Sequence, residues 1–307
     1  MGIAEGADVP DLLGNVTVTQ PMAPGARRNV GMCLPPPRPV FGEWLVLREV
    51  SEPGGRTLGL DLTQTEDVTR AVRGALLHHA DDPPPAVLSG HQPDGRPLER
   101  PHLACLALPE VDSSQPRGAL LGVAILLPRD VDAASRQAVL RALGRWEGHG
   151  LRLLLGRAGA ATLALIAGGN RPAALDPASW TRPSRRWASV TPVALDRNPG
   201  DLFARDLAAA AQAVRSAQQT VAVACEQIGL PRPASVQVMP RSLFDAVPAA
   251  ARFMPFPRTG RAFKRVCVHV DLRFDQPVSG PVLLGVGRYF GLGLCRPCGE
   301  AYWCACE

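Results

Sequence analysis

Between Phe41 and Ile166 the hydrophobic pattern changes period in a fixed order, and that order constrains the fold more than any single residue. Phe41–Arg48 (FGEWLVLR) reads as a strand, and Thr65–Ala80 sets Val68, Ala71, Val72, Ala75 and Leu76 at helical spacing. Asp81–Arg100 is a polar loop rich in proline and glycine, after which His102–Leu108 and Leu120–Leu127 are apolar strands. Asp132–Gly148 is a helix that Asp132 can cap, with Val139, Leu140, Leu143 and Trp146 as its buried stripe. Leu151–Leu155 and Thr162–Ile166 close the set as strands. The order is β-α-β-β-α-β, the ferredoxin-like split motif.

A second, less complete copy follows. Ala188–Leu195 reads as a strand and Asp201–Ile228 as a long helix that Gly229-Leu230-Pro231 stops. Ser235–Met239 and the alternating Arg265–Phe274 (RVCVHVDLRF) are strands. Pro281–Tyr289 is expected as a short helix entering a glycine-rich loop, and Gly291–Cys295 as a last strand. The expectation is an α+β protein of tandem ferredoxin-like (RRM-like) modules with a C-terminal glycine-rich loop. The modules cover 41–178 and 179–297, joined around Pro172–Pro183. They lie between a Pro/Gly-rich linker or tether over 1–40 and a Cys-rich tail over 298–307. That fold serves metabolic and regulatory proteins as well, so it does not give function.

Composition narrows the class. Hydrophobic residues make up 46% of the chain and charged ones 20%, which is a globular balance. No apolar run approaches the roughly 20 residues of a membrane span, and Met1–Pro10 lacks the apolar core of a secretory signal. A soluble, cytoplasmic protein without a membrane association is expected. Lys264 is the only lysine among 33 cationic residues at a net charge of +5. A GC-rich genome explains that bias as well as function does, although arginine's planar fork suits phosphates and bases. From Arg252 to Arg296 eight cationic residues, Arg258 and Arg261 among them, face only Asp271 and Asp275, a footprint fit for a polyanion or simply a solvated basic face.

Of eight cysteines, Cys33, Cys105, Cys225 and Cys267 are scattered and read as small buried hydrophobes. Cys295, Cys298, Cys304 and Cys306 crowd the end at C-x2-C-x5-C-x-C, with the second pair too close for a standard zinc knuckle. Neither a metal site nor a cofactor is expected.

Three stretches carry the chemistry. They are Ser89–His102 (SGHQPDGRPLERPH), Trp180–Arg197 (WTRPSRRWASVTPVALDR) and Gln276–Pro297 (QPVSGPVLLGVGRYFGLGLCRP). Together and in this order, from about Phe41 to Pro297, they resemble the CRISPR-associated fused subunit of type I-U (also called I-G) systems. In that family a backbone-subunit domain precedes an RNA-processing domain in one polypeptide. The glycine-rich ending is also similar to that of CRISPR repeat endoribonucleases in general, tandem ferredoxin-like proteins with a C-terminal glycine-rich loop. Members are usually longer, so the resemblance implies the processing portion of a split or truncated fusion; the Cys-rich tail departs from the family.

The resemblance implies a metal-independent endoribonuclease that processes CRISPR precursor repeat RNA and retains the crRNA among the other subunits of a type I effector complex. The 2′-hydroxyl beside the cut attacks phosphorus, leaving a 2′,3′-cyclic phosphate and a 5′-hydroxyl. Such a reaction needs a base, an acid and a cation. Histidine, with a pKa of about 6.5, suits either proton role. His91, after Gly90, and His102, where the strand begins, are the catalytic candidates; the alternative for His102 is that it hydrogen-bonds and orders its loop. His269 alternates with Val268 and Val270, so it is expected to face solvent or RNA and ranks third. His78, His79 and His149 follow helices and read as partners of helix C-termini.

For RNA binding, Gly285, Gly287, Gly291 and Gly293 would let backbone N–H groups approach phosphates, or else form a tight turn filling a core corner. Arg288 lies in that loop, and Tyr289 and Phe290 would stack on bases. The loop does not follow a strand as a dinucleotide fingerprint does. Arg182, Arg185 and Arg186, between Trp180 and Trp187, suit a phosphate track between the modules, unless the tryptophans are core and the arginines solvated. Lys264 and Arg265 complete the set. The alternatives to a nuclease are a non-catalytic crRNA-binding subunit of the same complex and a small-molecule-binding ferredoxin-like regulatory protein.

Overall fold

Residues 37–50, 57–166, 168, 171–257 and 263–299 are described by the computed structural model. The first half runs β1 (Phe41–Val50), α1 (Thr65–His78), the single turn α2 (Ala86–Ser89), β2 (Ala104–Pro109), β3 (Leu120–Pro128), α3 (Ala133–Gly148), β4 (Arg152–Leu154) and β5 (Ala160–Leu165). Its sheet is antiparallel in the order β2-β3-β1-β5-β4. β1 therefore lies between β3 and β5, the split arrangement the sequence order requires, with β4 added as an edge hairpin.

Local chemistry fixes these elements. The Asp132 carboxylate accepts from the Ser135 amide at 2.8 Å and caps α3. Val139, Leu143 and Trp146 bury against the sheet while Leu140 is only half-buried. β2 and β3 are buried almost throughout, as expected of strands covered on both faces.

The second half runs α4 (Ala178–Thr181), β6 (Ser184–Ser189), β7 (Val193–Ala194), α5 (Leu207–Gln227), β8 (Ser235–Met239), β9 (Cys267–Val278), β10 (Val282–Leu283) and β11 (Leu294–Pro297). Its sheet order is β10-β11-β6-β9-β7, with β8 also paired to β9. β6 lies between β9 and β11 as β1 lies between β3 and β5, so the strand plan repeats.

Several boundaries differ from expectation. β6 starts at Ser184 rather than Ala188, because the charge that hid it, Arg186, is neutralised across the sheet by Asp271. α5 starts at Leu207 rather than Asp201. Asp201 instead accepts from the Phe203 amide at 2.9 Å in a local turn, and Asp206 is the cap. Pro281–Tyr289 is not a helix: it holds β10 and a single 3-10 turn at Arg288–Phe290, as Gly285 and Gly287 disfavour anything longer. Among the described residues the second half thus has no helix at the place of its second one. Most of the 1–40 linker, Arg258, Arg261, Cys33 and the tail beyond Gly299 lie outside the described residues.

The two sheets share one compact unit, Pro36–Glu307. One face of the second sheet packs Trp187, Val268, Val270 and Leu272 with Val221 and Cys225 of α5. Its other face sends Ala188, Val190 and Leu294 into the core of the first half. Arg296 of β11 also pairs with Asp112, just past β2, at 3.2 Å. Trp180 and Trp187 are both fully buried, as the alternative to a phosphate track has it for the two rings.

Candidate nuclease site

α1 carries Arg70 and Arg73 one turn apart, so both present to the same side. The α2 turn ends at Gly90 (φ +74°), whose left-handed conformation releases the chain toward His91. The chain returns at His102, two residues before β2. The 3-10 turn at Arg288–Phe290 comes across from the second half. These pieces border an open cavity of roughly 400 Å³ lined by Arg70, Arg73, His91, His102, Tyr289 and Phe290, among others. The two candidate histidines and the aromatic part of the glycine-rich loop, more than 180 residues apart in the chain, therefore meet.

His102 lies flat on Tyr289, with ring centroids 3.6 Å apart and planes at 20°. Arg288 covers the opposite end of this stack, 4.6 Å from the Tyr289 centroid. Burial, and then the positive charges of Arg73 and Arg288, push the His102 pKa down to about 3. Its Nδ1 is buried and meets no partner at full hydrogen-bond geometry. The Arg100 backbone offsets the shift only in part. His91 is exposed, and its Nδ1 contacts the Ser89 carbonyl at 3.0 Å. A carbonyl only accepts, so Nδ1 donates there and Nε2 remains for a substrate.

Arg70 and Arg73 are functional candidates that sequence reasoning missed. Arg70 is held by Glu66 at 2.7 Å and lies 4.5 Å from the Phe290 centroid. Arg73 donates to the Leu88 and Leu103 carbonyls at 2.9 and 2.6 Å, and among the described residues no carboxylate pairs with it. The signal was present as two arginines at i and i+3 beside Gly74, but a helical charge pair reads equally as a solvated face.

Other candidates fall elsewhere. His269 is fully buried rather than facing solvent or RNA. Its Nδ1 meets Ser189 Oγ at 3.0 Å and its Nε2 meets the Pro248 carbonyl at 3.1 Å. Burial lowers its pKa to about 4. Alternation placed it correctly opposite the valines, but on that opposite face Ser189, Pro248 and Phe253 cover it. His79 and His149 bond back to carbonyls of their own helices, as expected of C-terminal partners.

Arg182, Arg185 and Arg186 line a different cleft of roughly 540 Å³ together with Arg273. Arg182 donates to the Pro297 carbonyl at 3.2 Å, and Arg186 grips the buried Asp271 through two 3.0 Å bonds. Lys264 donates to the Pro257 carbonyl. Arg265 donates to the Asp196 carbonyl at 2.6 Å, outside the histidine cavity.

The glycines pack against protein. A Cβ on Gly285 would meet the Ala194 carbonyl at 2.3 Å, and one on Gly293 the Leu284 carbonyl at 2.0 Å. Gly287 faces Leu292 in the same way. Gly291 touches Thr65 and Thr69 of α1, so the loop seats on the first half. Thr69 Oγ1 donates to the Phe290 carbonyl at 2.9 Å across the same contact. The tight turn filling a core corner accounts for these four positions.

Residues 54–297 match the profile of the CRISPR-associated protein, GSU0054 family. The chain belongs to that family. No curated protein matches it. A crystal structure of Cas6b aligns at a TM-score of 0.44 and 9% identity, covering 83% of this chain and 100% of that one, a likeness too slight to carry weight. The GSU0054-family match covers every strand of both sheets except β1, and takes in every lining residue named for the histidine cavity. Among the described residues of this family member, no helix is long and apolar enough to cross a membrane.

Proposed function

We propose that this GSU0054-family protein is a metal-independent endoribonuclease of type I-U CRISPR systems that cuts repeat RNA at the His91–His102 cavity. It then holds the product as crRNA beside the backbone and large subunits of the effector complex. The observation that carries the proposal is the convergence of two histidines and two arginines in one cavity. Phe290 and Tyr289 supply π faces there for unpaired bases.

At neutrality a histidine with a pKa near 3 is the neutral imidazole with one ring nitrogen free to accept a proton, so His102 takes the base role and His91 the acid role in the proposed reaction. The 2′-oxygen loses its proton to His102 and attacks phosphorus. The bond to the 5′-oxygen breaks, and that oxygen takes a proton from His91. Burial is the main cause of the low His102 pKa, and an RNA phosphate beside Arg73 and Arg288 would screen the two charges that add to it, raising the basicity in part. Arg70 and Arg73 face the charge that builds on the phosphorane. Among the described residues no carboxylate lines this cavity.

One observation favours a holding role without catalysis: the Tyr289 ring covers His102. Labelled repeat RNA incubated in EDTA with wild type, His91→Ala and His102→Ala separates the two. Cleavage to a cyclic-phosphate end, lost in either variant with binding intact, supports the nuclease. Tight binding without cleavage supports the holding role. No binding at low salt sinks both.

A further inference from the structure

The ladder between β6 and β9 opens at one place. Ser184 pairs with Val278 and Arg186 with Arg273, so a single residue of β6, Arg185, stands opposite the four residues from Phe274 to Pro277. A bulge of this kind bends the strand and re-aims its side chains. The Ser184 hydroxyl accepts from the Arg186 amide at 3.1 Å and fixes the chain on either side of Arg185. The cleft of roughly 540 Å³ lies at this bulge, with Arg182, Arg185, Arg186 and Arg273 in its lining.

Part of this charge is spent inside the protein. The Asp271 carboxylate takes two bonds from Arg186, and the Pro297 carbonyl takes one from Arg182. Arg185 is exposed, and among the described residues it has no hydrogen-bond or ion-pair partner. No Asp or Glu is among the described lining residues; Asp275, in the bulge, is exposed and lies outside the lining. A concave site with fixed cations and no facing anion draws a polyanion, and the guanidinium fork matches two oxygens of a phosphate.

β11 ties this cleft to the histidine cavity. It follows the Arg288–Phe290 turn that borders the cavity and leads to Cys298, which lines the cleft. Cys298 stands eight positions after Phe290, so the chain between them spans at most about 30 Å. One RNA strand with a phosphate at the histidines has further phosphates within reach of the arginines.

We propose that the arginine cleft is a second RNA site, which grips backbone phosphates of the molecule that enters the histidine cavity, through Arg185 and Arg182 and without reading bases. Its ligand follows from the RNA-cutting reading, but binding alone tests it. Every version of the full chain carries His91→Ala, so that bound RNA stays whole, and affinity is measured in EDTA across a salt series. Arg185→Ala is expected to weaken binding roughly tenfold. It is also expected to lower the slope of log affinity against log salt by about 0.7 to 0.9. Arg185→Lys should keep the slope. The loss should be equal for repeat RNA and for an unrelated RNA of the same length, because phosphates carry no sequence. Arg157→Ala removes the same charge from an exposed turn between β4 and β5, and is expected to change little.

No loss in Arg185→Ala, an equal loss in Arg157→Ala, or a parent chain that binds no RNA overturns the proposal. So does labelled poly-glutamate that binds as tightly as RNA and is weakened as much by Arg185→Ala, which would make the cleft a seat for an acidic protein. RNA held through Arg185 by a chain that fails to cut even with His91 in place would sustain the cleft and sink the nuclease instead.

Discussion

His102 and Tyr289 form a face-to-face stack at 3.6 Å that joins the two halves of the molecule, and the stack sets the protonation of the histidine. Burial is the largest cause of the depressed His102 pKa, so removing the covering ring should release it. In Tyr289→Ala the imidazole is expected to titrate upward from about 3 toward roughly 6.5. Tyr289→Phe keeps the ring and should leave the titration in place. Nitrogen-detected NMR of the imidazole across pH checks both.

Acid sensitivity follows from two histidines. The folded pKa values of His102 and His269 lie at about 3 and about 4, below the unfolded value near 6.5. Between those limits the unfolded chain binds more protons, so stability rises with pH. It is expected to be complete above about pH 6.5 and lost as pH falls through 4 and then 3. Urea midpoints measured from pH 7 down to pH 4 should decline. His269→Gln should flatten part of that decline; an unchanged slope would mean His269 is not held neutral.

Gly90 and Gly95 form a matched pair. Both have positive φ, +74° and +82°. An alanine at either should cost roughly 1–2 kcal/mol in backbone strain. Only at Gly90 would the new Cβ also meet His102 Nε2, at 2.9 Å, whereas Gly95 has open space. Gly90→Ala is therefore expected to lose RNA cleavage and Gly95→Ala to keep it at similar stability. Equal activity in the two would show that Gly90 does not position His102.

Arg186 and Asp271 are a buried pair, with side chains 15% and 2% exposed. Breaking it from one side leaves an uncompensated charge and typically costs about 3–5 kcal/mol. Asp271→Leu alone should destabilise by that order. Adding Arg186→Met should recover much of the loss, as measured by a double-mutant cycle in urea.

The first sheet was legible because each signal was local: Asp132 caps the helix it precedes, and the Val139–Trp146 stripe has a single period. The repeat of strand order was legible for the same reason. What local pattern does not contain is which face of the second sheet is covered. His269 alternates as a surface residue would, yet Ser189, Pro248 and Phe253 close over it. Arg186 looked like a basic surface and is a strand residue paired with Asp271. At the site, His91 and His102 stood out by residue type and loop composition. Arg70 and Arg73 did not, because only the arrival of Phe290 from more than 200 residues away distinguishes them from solvated helix charges.

Gly291 seats the Arg288–Phe290 turn directly on Thr65 and Thr69 of α1. During synthesis, both histidines and both helix arginines leave the ribosome long before Tyr289 is made. A nascent or prematurely terminated chain thus holds the reactive groups without the lid that buries one of them. The cavity is complete only with the last strands, so under the proposed nuclease reading a fragment released early would lack a finished cutting centre.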